Sequence, residues 1–213
     1  MDQVRTISIS LIRHAPTVYP KGTLPPYDPD ITLDGFEQTL SKLAKHLPAE
    51  ASWLESPLSR CRKTADAIIA YGAAHKTRAV IPALEEQRHG DWHGRKVADV
   101  WDELKDGPKS NWHFLYHDIA APHGESFVDL IKRLEPVMKQ IISSEDDEIV
   151  VVAHAMVIKA IVGMALGMSP AQSLSMTIDP LSLTEMTYMA SGAIKDKDAG
   201  GAWQLRRLNQ KFS

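Results

Sequence analysis

Hydrophobic and polar positions alternate at the start of the chain. Ile7, Ile9 and Leu11 recur at every second residue and Ile12 follows, which predicts a strand ending at Arg13-His14. Residues 18–30 carry Pro20, Pro25, Pro26 and Pro29 and read as a loop. Leu33, Phe36, Leu40, Leu43 and Leu47 then take up helical spacing, with Thr32 as the expected N-cap. A short strand is expected at Trp53-Leu54. Ser56-Pro57 follows as a cap with proline at the first helical position, and that helix presents Leu58, Cys61, Ala65, Ile68 and Ile69 on one face. Residues 79–81 suggest another strand, 85–95 a polar, glycine-containing loop, and 97–104 a helix. An irregular stretch at 105–124 precedes Phe127, Leu130, Ile131, Leu134, Val137, Met138 and Ile141, a helix in which Pro136 is expected to make a kink. The β-branched run at 149–152 predicts a strand buried on both faces, ending at Ala153-His154 and followed by a helix over 155–166. Further strands are expected around 174–178, 183–190 and 203–208, with a polar turn at 192–201.

Strands that alternate with helices imply an α/β domain with a mostly parallel sheet. In such sheets ligands bind beyond the carboxyl ends of the strands, and three polar groups fall at such places: Arg13-His14, Arg60 and His154. Composition narrows the class further. At 213 residues, 44% hydrophobic and 24% charged, the chain suits one soluble globular domain over 1–213. A net charge of −3 gives no general attraction for nucleic acid or an anionic membrane surface. The start lacks the basic and apolar run of a signal peptide. The most apolar stretch, 153–168, is broken by His154 and Lys159 and is too short to span a bilayer. The single cysteine, Cys61, excludes an internal disulfide and fits a reducing cytoplasm.

Several short motifs occur in order. Leu11-Ile12-Arg13-His14-Ala15-Pro16-Thr17 follows the first strand. Next come Ile31-Thr32-Leu33-Asp34-Gly35-Phe36-Glu37-Gln38 and Ser56-Pro57-Leu58-Ser59-Arg60-Cys61-Arg62-Lys63-Thr64-Ala65. Leu84-Glu85-Glu86 with Gly90-Asp91-Trp92-His93-Gly94, then Pro122-His123-Gly124-Glu125-Ser126 and Val151-Val152-Ala153-His154-Ala155 complete the series. Each is weak alone: an Arg-His pair at a strand end is by default a solvated turn, and a histidine in an apolar run is usually a core residue. Taken in this order they resemble the signature of the histidine phosphatase superfamily, the group that includes cofactor-dependent phosphoglycerate mutases. The resemblance implies a three-layer α/β/α sandwich of the phosphoglycerate mutase type. It implies His14 as the nucleophile that accepts a phosphoryl group, Arg13, Arg60 and His154 around its oxygens, and Glu86 as proton donor, with Glu85 as the rival for that role. Thr17 is retained and is expected to supply a further phosphate contact. Among small bacterial-type relatives are α-ribazole phosphate phosphatases and broad-specificity phosphatases.

The chemistry is consistent with these residue types. A phosphoryl group in flight spreads negative charge over three oxygens, which fixed cations stabilise, and the planar fork of arginine grips two oxygens at once. Neighbouring guanidinium groups are expected to depress the pKa of His14, and a hydrogen bond at one ring nitrogen would leave the other to attack. No metal or other cofactor is then required. The pattern departs from the family at Ala15 and Ala155, which replace glycines, at Pro16, and at Pro20, where many relatives carry an asparagine.

Other readings compete. His89/His93 and His113/His117 have metal-ligand spacing, which would fit a metal-dependent hydrolase, although neither pair sits in a His-Glu-x-x-His pattern. A non-catalytic phosphate-binding module is the other. Within the family, a mutase carries extra basic residues in the insertion after the acid motif. Here that stretch reads Trp112-His113-Phe114-Leu115-Tyr116-His117, so a phosphatase acting on a small phosphorylated metabolite is favoured over a mutase. Residues 105–124 and the proline-rich loop are expected to fold over the site as a lid suited to a ring or apolar body. The oligomeric state is not written in the sequence.

Overall fold

The computed structural model describes residues 5–105, 116–189 and 202–212. Its sheet has six strands in the order β3-β2-β4-β1-β5-β6. These are β1 (Thr6–Arg13), β2 (Ser52–Glu55), β3 (Thr77–Val80), β4 (Glu148–Ala153), β5 (Leu183–Met189) and β6 (Trp203–Gln210). Strands β3, β2, β4 and β1 run parallel, and β5 and β6 are added as an antiparallel edge. β4 lies at the centre with Ile149 to Ala153 all buried, as its unbroken apolar run requires.

The alternation in β1 sorts the core into two layers. Ile7, Ile9 and Leu11 face α4 (Phe127–Ile142) and α5 (Ala155–Leu166), where Phe127, Leu130, Leu134, Val157 and Ile161 pack against them. Ile12 faces the other side, with Leu40 and Leu43 of α1 (Glu37–His46) and Cys61, Ala65 and Ile68 of α2 (Ser59–Ala70). Helices thus cover both faces, and the architecture is the three-layer α/β/α sandwich. A small satellite core of Trp92, Val100 and Ala121, with Leu24, Leu104 and Ile119 against it, seats α3 (Val97–Leu104) and the proline-rich loop. No helix among the described residues is long and apolar enough to cross a membrane.

Several local expectations shift. The first helix begins at Glu37, after Phe36, and Thr32 does not cap it. Instead the Thr32 N–H donates to the Pro16 carbonyl, Ile31 bridges Thr17, and Gly35 turns the chain at φ +81°. The second helix begins at Ser59. Its N–H donates to the Asp28 carboxylate, 2.8 Å away in the proline-rich loop, while Ser56 bonds His154. The strand expected at 79–81 runs over Thr77–Val80. Pro136 lies inside an uninterrupted α4; the carbonyl it leaves without a donor belongs to Lys132, on the same exposed face, where water can serve it. The strand expected around 174–178 does not form. A short helix, α6 (Pro170–Leu174), ends there, begun by a capping box between Ser169 and Gln172. The turn expected at 192–201 and the aromatic stretch at 112–115 lie outside the described residues.

The loop that carries Glu86 crosses the segment leading into α4 at close range. The Glu125 N–H donates to the Arg88 carbonyl at 2.9 Å, and a Cβ added to Gly124 would stand 2.5 Å from that carbonyl oxygen and 3.2 Å from the Ala121 Cβ. Gly124→Ala should therefore destabilise the domain by about 1–3 kcal/mol, because backbone and not a pliable side chain must give way. Thermal unfolding reads the effect; an unchanged Tm would show that the two segments separate without cost.

Candidate active site

The register of the parallel strands assembles the site. Arg13 pairs with Ala153, so the residues just beyond β1 and β4, His14 and His154, emerge side by side with ring centroids 5.1 Å apart. The His14 N–H donates to the Ala153 carbonyl at 3.0 Å. β2 pairs with the other edge of β4 and brings in Ser56 and, in the first turn of α2, Arg60. Beyond these strand ends lies a cavity of about 510 Å³, counting its open mouth. Arg13, His14, Thr17, Arg60 and Glu86 all line it. The proline-rich loop supplies Pro25, Pro26, Tyr27 and Pro29 to its wall, as expected of a covering segment. No residue of 116–124 lines the cavity, and the rest of the expected lid, 106–115, lies outside the described residues.

His14 is buried, and its Nδ1 lies 2.7 Å from the Ala15 carbonyl, a bond that requires the proton on Nδ1. Nε2 has no hydrogen-bond partner among the described residues. Burial, more than the guanidinium groups, depresses the imidazolium to a pKa of about 3; the Ala15 carbonyl opposes the shift, and Arg60 and Arg13 add to it. At neutral pH the ring is therefore uncharged, with a lone pair on Nε2. Ala15 and Ala155 both avoid positive φ, so the loss of glycine costs no backbone strain. The Ala15 N–H donates to Thr64 Oγ1 at 2.9 Å, so it serves to hold the loop.

Arg60 is buried and held at two of its nitrogens. Nε donates to His154 Nδ1 at 3.2 Å, and Nη1 donates to the Tyr27 carbonyl at 2.8 Å and to Asp28 Oδ1 at 3.3 Å. Nη2 has no partner among the described residues. His154 is fully buried and uncharged, its pKa driven well below the usual value first by burial and then by Arg60. Its Nε2 proton goes to Ser56 Oγ at 2.7 Å. His154 therefore stands behind Arg60 and does not line the cavity, whereas the family resemblance implies direct contact with the phosphate. Arg13 donates from Nη1 to the Ile178 carbonyl at 2.7 Å, and its buried Nε has no partner among the described residues. Burial lowers its pKa, with Glu86 opposing. Cys61 touches the His154 ring, and burial pushes its thiol up, so it is no nucleophile at neutral pH.

Glu86 lies in a loop between the 3₁₀ turns Pro82–Leu84 and Gly90–Trp92. Burial raises its pKa, against the backbone N–H groups of Gln87 and Met156 and the charges of Arg60 and Arg13. Glu85, the rival acid, turns instead to the Tyr27 hydroxyl. Sequence reasoning missed Asp28, Thr64 and the cavity-lining Gln87, Arg88 and His89; only Thr64 lies inside a quoted motif. It also missed the roles of Glu125 and Arg133, which clasp the Glu86 loop from below. The His89/His93 pair is engaged otherwise than in metal binding. His93 Nε2 accepts the His89 N–H at 3.2 Å and Nδ1 faces the Pro25 carbonyl at 3.1 Å, so both ring nitrogens are occupied. His113 lies outside the described residues.

This arrangement can be set beside known proteins. No curated protein sequence matches the chain closely enough to count as a relative. Among solved structures, a mycobacterial glucosyl-3-phosphoglycerate phosphatase superposes with a TM-score of 0.76 at 23% identity, covering 96% of this chain and 99% of its own. A putative α-ribazole-5′-phosphate phosphatase from Escherichia coli gives 0.75 at 21%, covering 96% of each chain. A phosphoglycerate mutase from Bacillus anthracis gives 0.72 at 16%, covering 97% of this chain and 94% of its own. These likenesses establish the phosphoglycerate mutase-like fold. The sequence model of the histidine phosphatase superfamily (branch 1) matches residues 9–197, and by that match the chain belongs to this superfamily.

Proposed function

We propose that the protein is a metal-independent phosphatase that hydrolyses a small-molecule phosphomonoester through a phosphohistidine on His14. The observation that carries this reading is the state of His14: uncharged, with Nδ1 fixed on the Ala15 carbonyl and Nε2 unbonded at a cavity that Arg13 and Arg60 also line. The Nε2 lone pair attacks phosphorus and the ester P–O bond breaks. The proton of Glu86 passes to the departing oxygen, and the Nδ1–H···O=C bond supports the charge that the ring acquires. Water then attacks the phosphohistidine, Glu86 takes its proton back, and the N–P bond breaks to release phosphate. Arg13 and Arg60 stabilise the oxygens throughout, and His154 holds the Arg60 fork by its Nε.

The cavity wall supports hydrolysis over transfer between two phosphate sites. Two of its cations, half-buried Arg13 and buried Arg60, are assigned to one phosphate; the further lining arginine, Arg88, is paired to Glu125. The wall of prolines with Tyr19 and Tyr27 suits a leaving group with a ring or apolar body. Solved neighbours named as phosphatases favour the same reaction, and one of them, the mycobacterial enzyme, has been solved with VO3. Lone, buried Cys61 fits the reducing cytoplasm as its compartment.

Acid-labile, alkali-stable phosphate should be trapped on the wild-type protein and absent from His14→Ala; undiminished labelling of the variant would remove His14 as nucleophile. Arg60→Lys keeps the charge but loses the fork, and kcat should fall by about 30- to 1,000-fold. Near wild-type turnover in that variant would place Arg60 outside the reaction. Glu86→Gln should lower kcat/KM for an alkyl phosphate by on the order of 100-fold, and that for p-nitrophenyl phosphate far less, since nitrophenolate leaves without a proton. The required form of His14 is neutral, and its pKa of about 3 keeps it so down to mildly acidic pH. The required form of Glu86 is protonated, so the alkyl-ester rate should fall as pH rises through its raised pKa. That high-pH limb should vanish in Glu86→Gln. Equal losses on both esters would make Glu86 a positioning residue only.

A further inference from the structure

We infer that Arg133 and Glu125 act as a pair of positioning residues that hold Glu86 in place as the proton donor; the inference rests on the reading of Glu86 given above. Neither residue lines the cavity. The Glu86 loop belongs to no sheet or helix, so its backbone polar groups have no regular partners and must find them elsewhere. Arg133, in the second turn of α4, supplies them. Its Nη1 donates to the Ala83 carbonyl at 2.6 Å, and its Nη2 to the Glu85 and Glu86 carbonyls at 3.1 and 3.4 Å.

The guanidinium is itself held by Glu125. Nε donates to Glu125 Oε2 at 3.2 Å and Nη2 to Oε1 at 2.6 Å, a two-pronged pair in which the carboxylate is 5% exposed and the arginine 19%. Glu125 reaches the far side of Glu86 as well. Oε1 accepts the Arg88 N–H at 3.1 Å, and the Glu125 carbonyl accepts from Gln87 Nε2 at 3.0 Å. The pair therefore grips the backbone before, at and after Glu86. A buried ion pair is a poor device for stability alone, because desolvation offsets much of the attraction. Here it adds to the few contacts that position the Glu86 loop, which lies outside the sheet and the α-helices. A lysine at 133 has the charge but cannot reach three carbonyls and two carboxylate oxygens from one nitrogen.

Arg133→Lys is tested beside Glu86→Gln with glycerol 2-phosphate as the alkyl ester and p-nitrophenyl phosphate as the activated one. In Arg133→Lys, kcat/KM for glycerol 2-phosphate should fall by about 10- to 100-fold, the scale of a small misplacement of a catalytic group, while p-nitrophenyl phosphate is nearly spared. A loosened loop admits water to the carboxyl, so the high-pH limb for glycerol 2-phosphate should also move to lower pH. Besides burial, the groups that set that limb are the Gln87 N–H within the loop, Arg60 from α2, Arg13 from β1, and the Met156 N–H and Lys159 from α5; the substitution touches none of those outside the loop. Glu125→Gln, which keeps the shape, should show the same ester selectivity and serves if the lysine variant does not fold. If Glu86→Gln discriminates between the esters and the folded Arg133 and Glu125 variants do not, the positioning role falls and the proton-donor reading stands. If Glu86→Gln itself fails to discriminate, both fall together.

Discussion

The site depends on the parallel pairing of β1 with β4. A parallel ladder aligns the carboxyl ends of its strands, so whatever follows each strand emerges on the same rim. With Arg13 opposite Ala153, the two histidines meet, and β2 on the other edge of β4 adds Ser56 and Arg60. A slip of one residue would turn Ile7, Ile9 and Leu11 from the α4/α5 core toward the α1/α2 core. The hydrophobic sorting that stabilises the sheet therefore also fixes the geometry of the candidate site, and the packing of both layers opposes any drift of His14 relative to Arg60.

Burial determines the protonation states. Burial is the main influence at His14, His154 and Glu86 alike, yet it acts in opposite directions on bases and acids. It disfavours the charged imidazolium at the histidines and the charged carboxylate at Glu86. Two arginines in the same rim work with burial at the histidines and against it at Glu86. A single environment thus favours an uncharged His14 and the protonated form of Glu86, the two states that the proposed reaction requires.

Much of the polar structure around the site is supplied from distant parts of the chain. Asp28, in the proline-rich loop, accepts the Ser59 N–H at the start of α2 and an Arg60 N–H, where a local cap was expected from Ser56. Ser56 is thereby left to orient His154. Thr64, one turn beyond Arg60, holds the Ala15 N–H. These bonds tie the loops after β1 and β2 into one unit, so Arg60 and His14 keep their relation.

The sequence by itself determined the layer architecture and most of the rim. The alternation of β1, the apolar run of β4 and the helical stripes of α2, α4 and α5 are periodic signals, and periodicity is set by local geometry that each segment carries alone. The ordered motifs placed His14, Arg13, Arg60, Glu86 and Thr17, and the structure gathers all of them at one cavity. Tertiary structure decided what depends on partners far along the chain. The start of α2 follows Asp28 rather than Ser56, the start of α1 follows the tie between Thr32 and Pro16, and His154 faces Arg60 and Ser56 rather than the cavity. The Glu86 loop is the extreme case. Its residues have neither period nor propensity to fix them, and the contacts that Arg133 of α4 and Glu125 make with them exist only once the layers have packed.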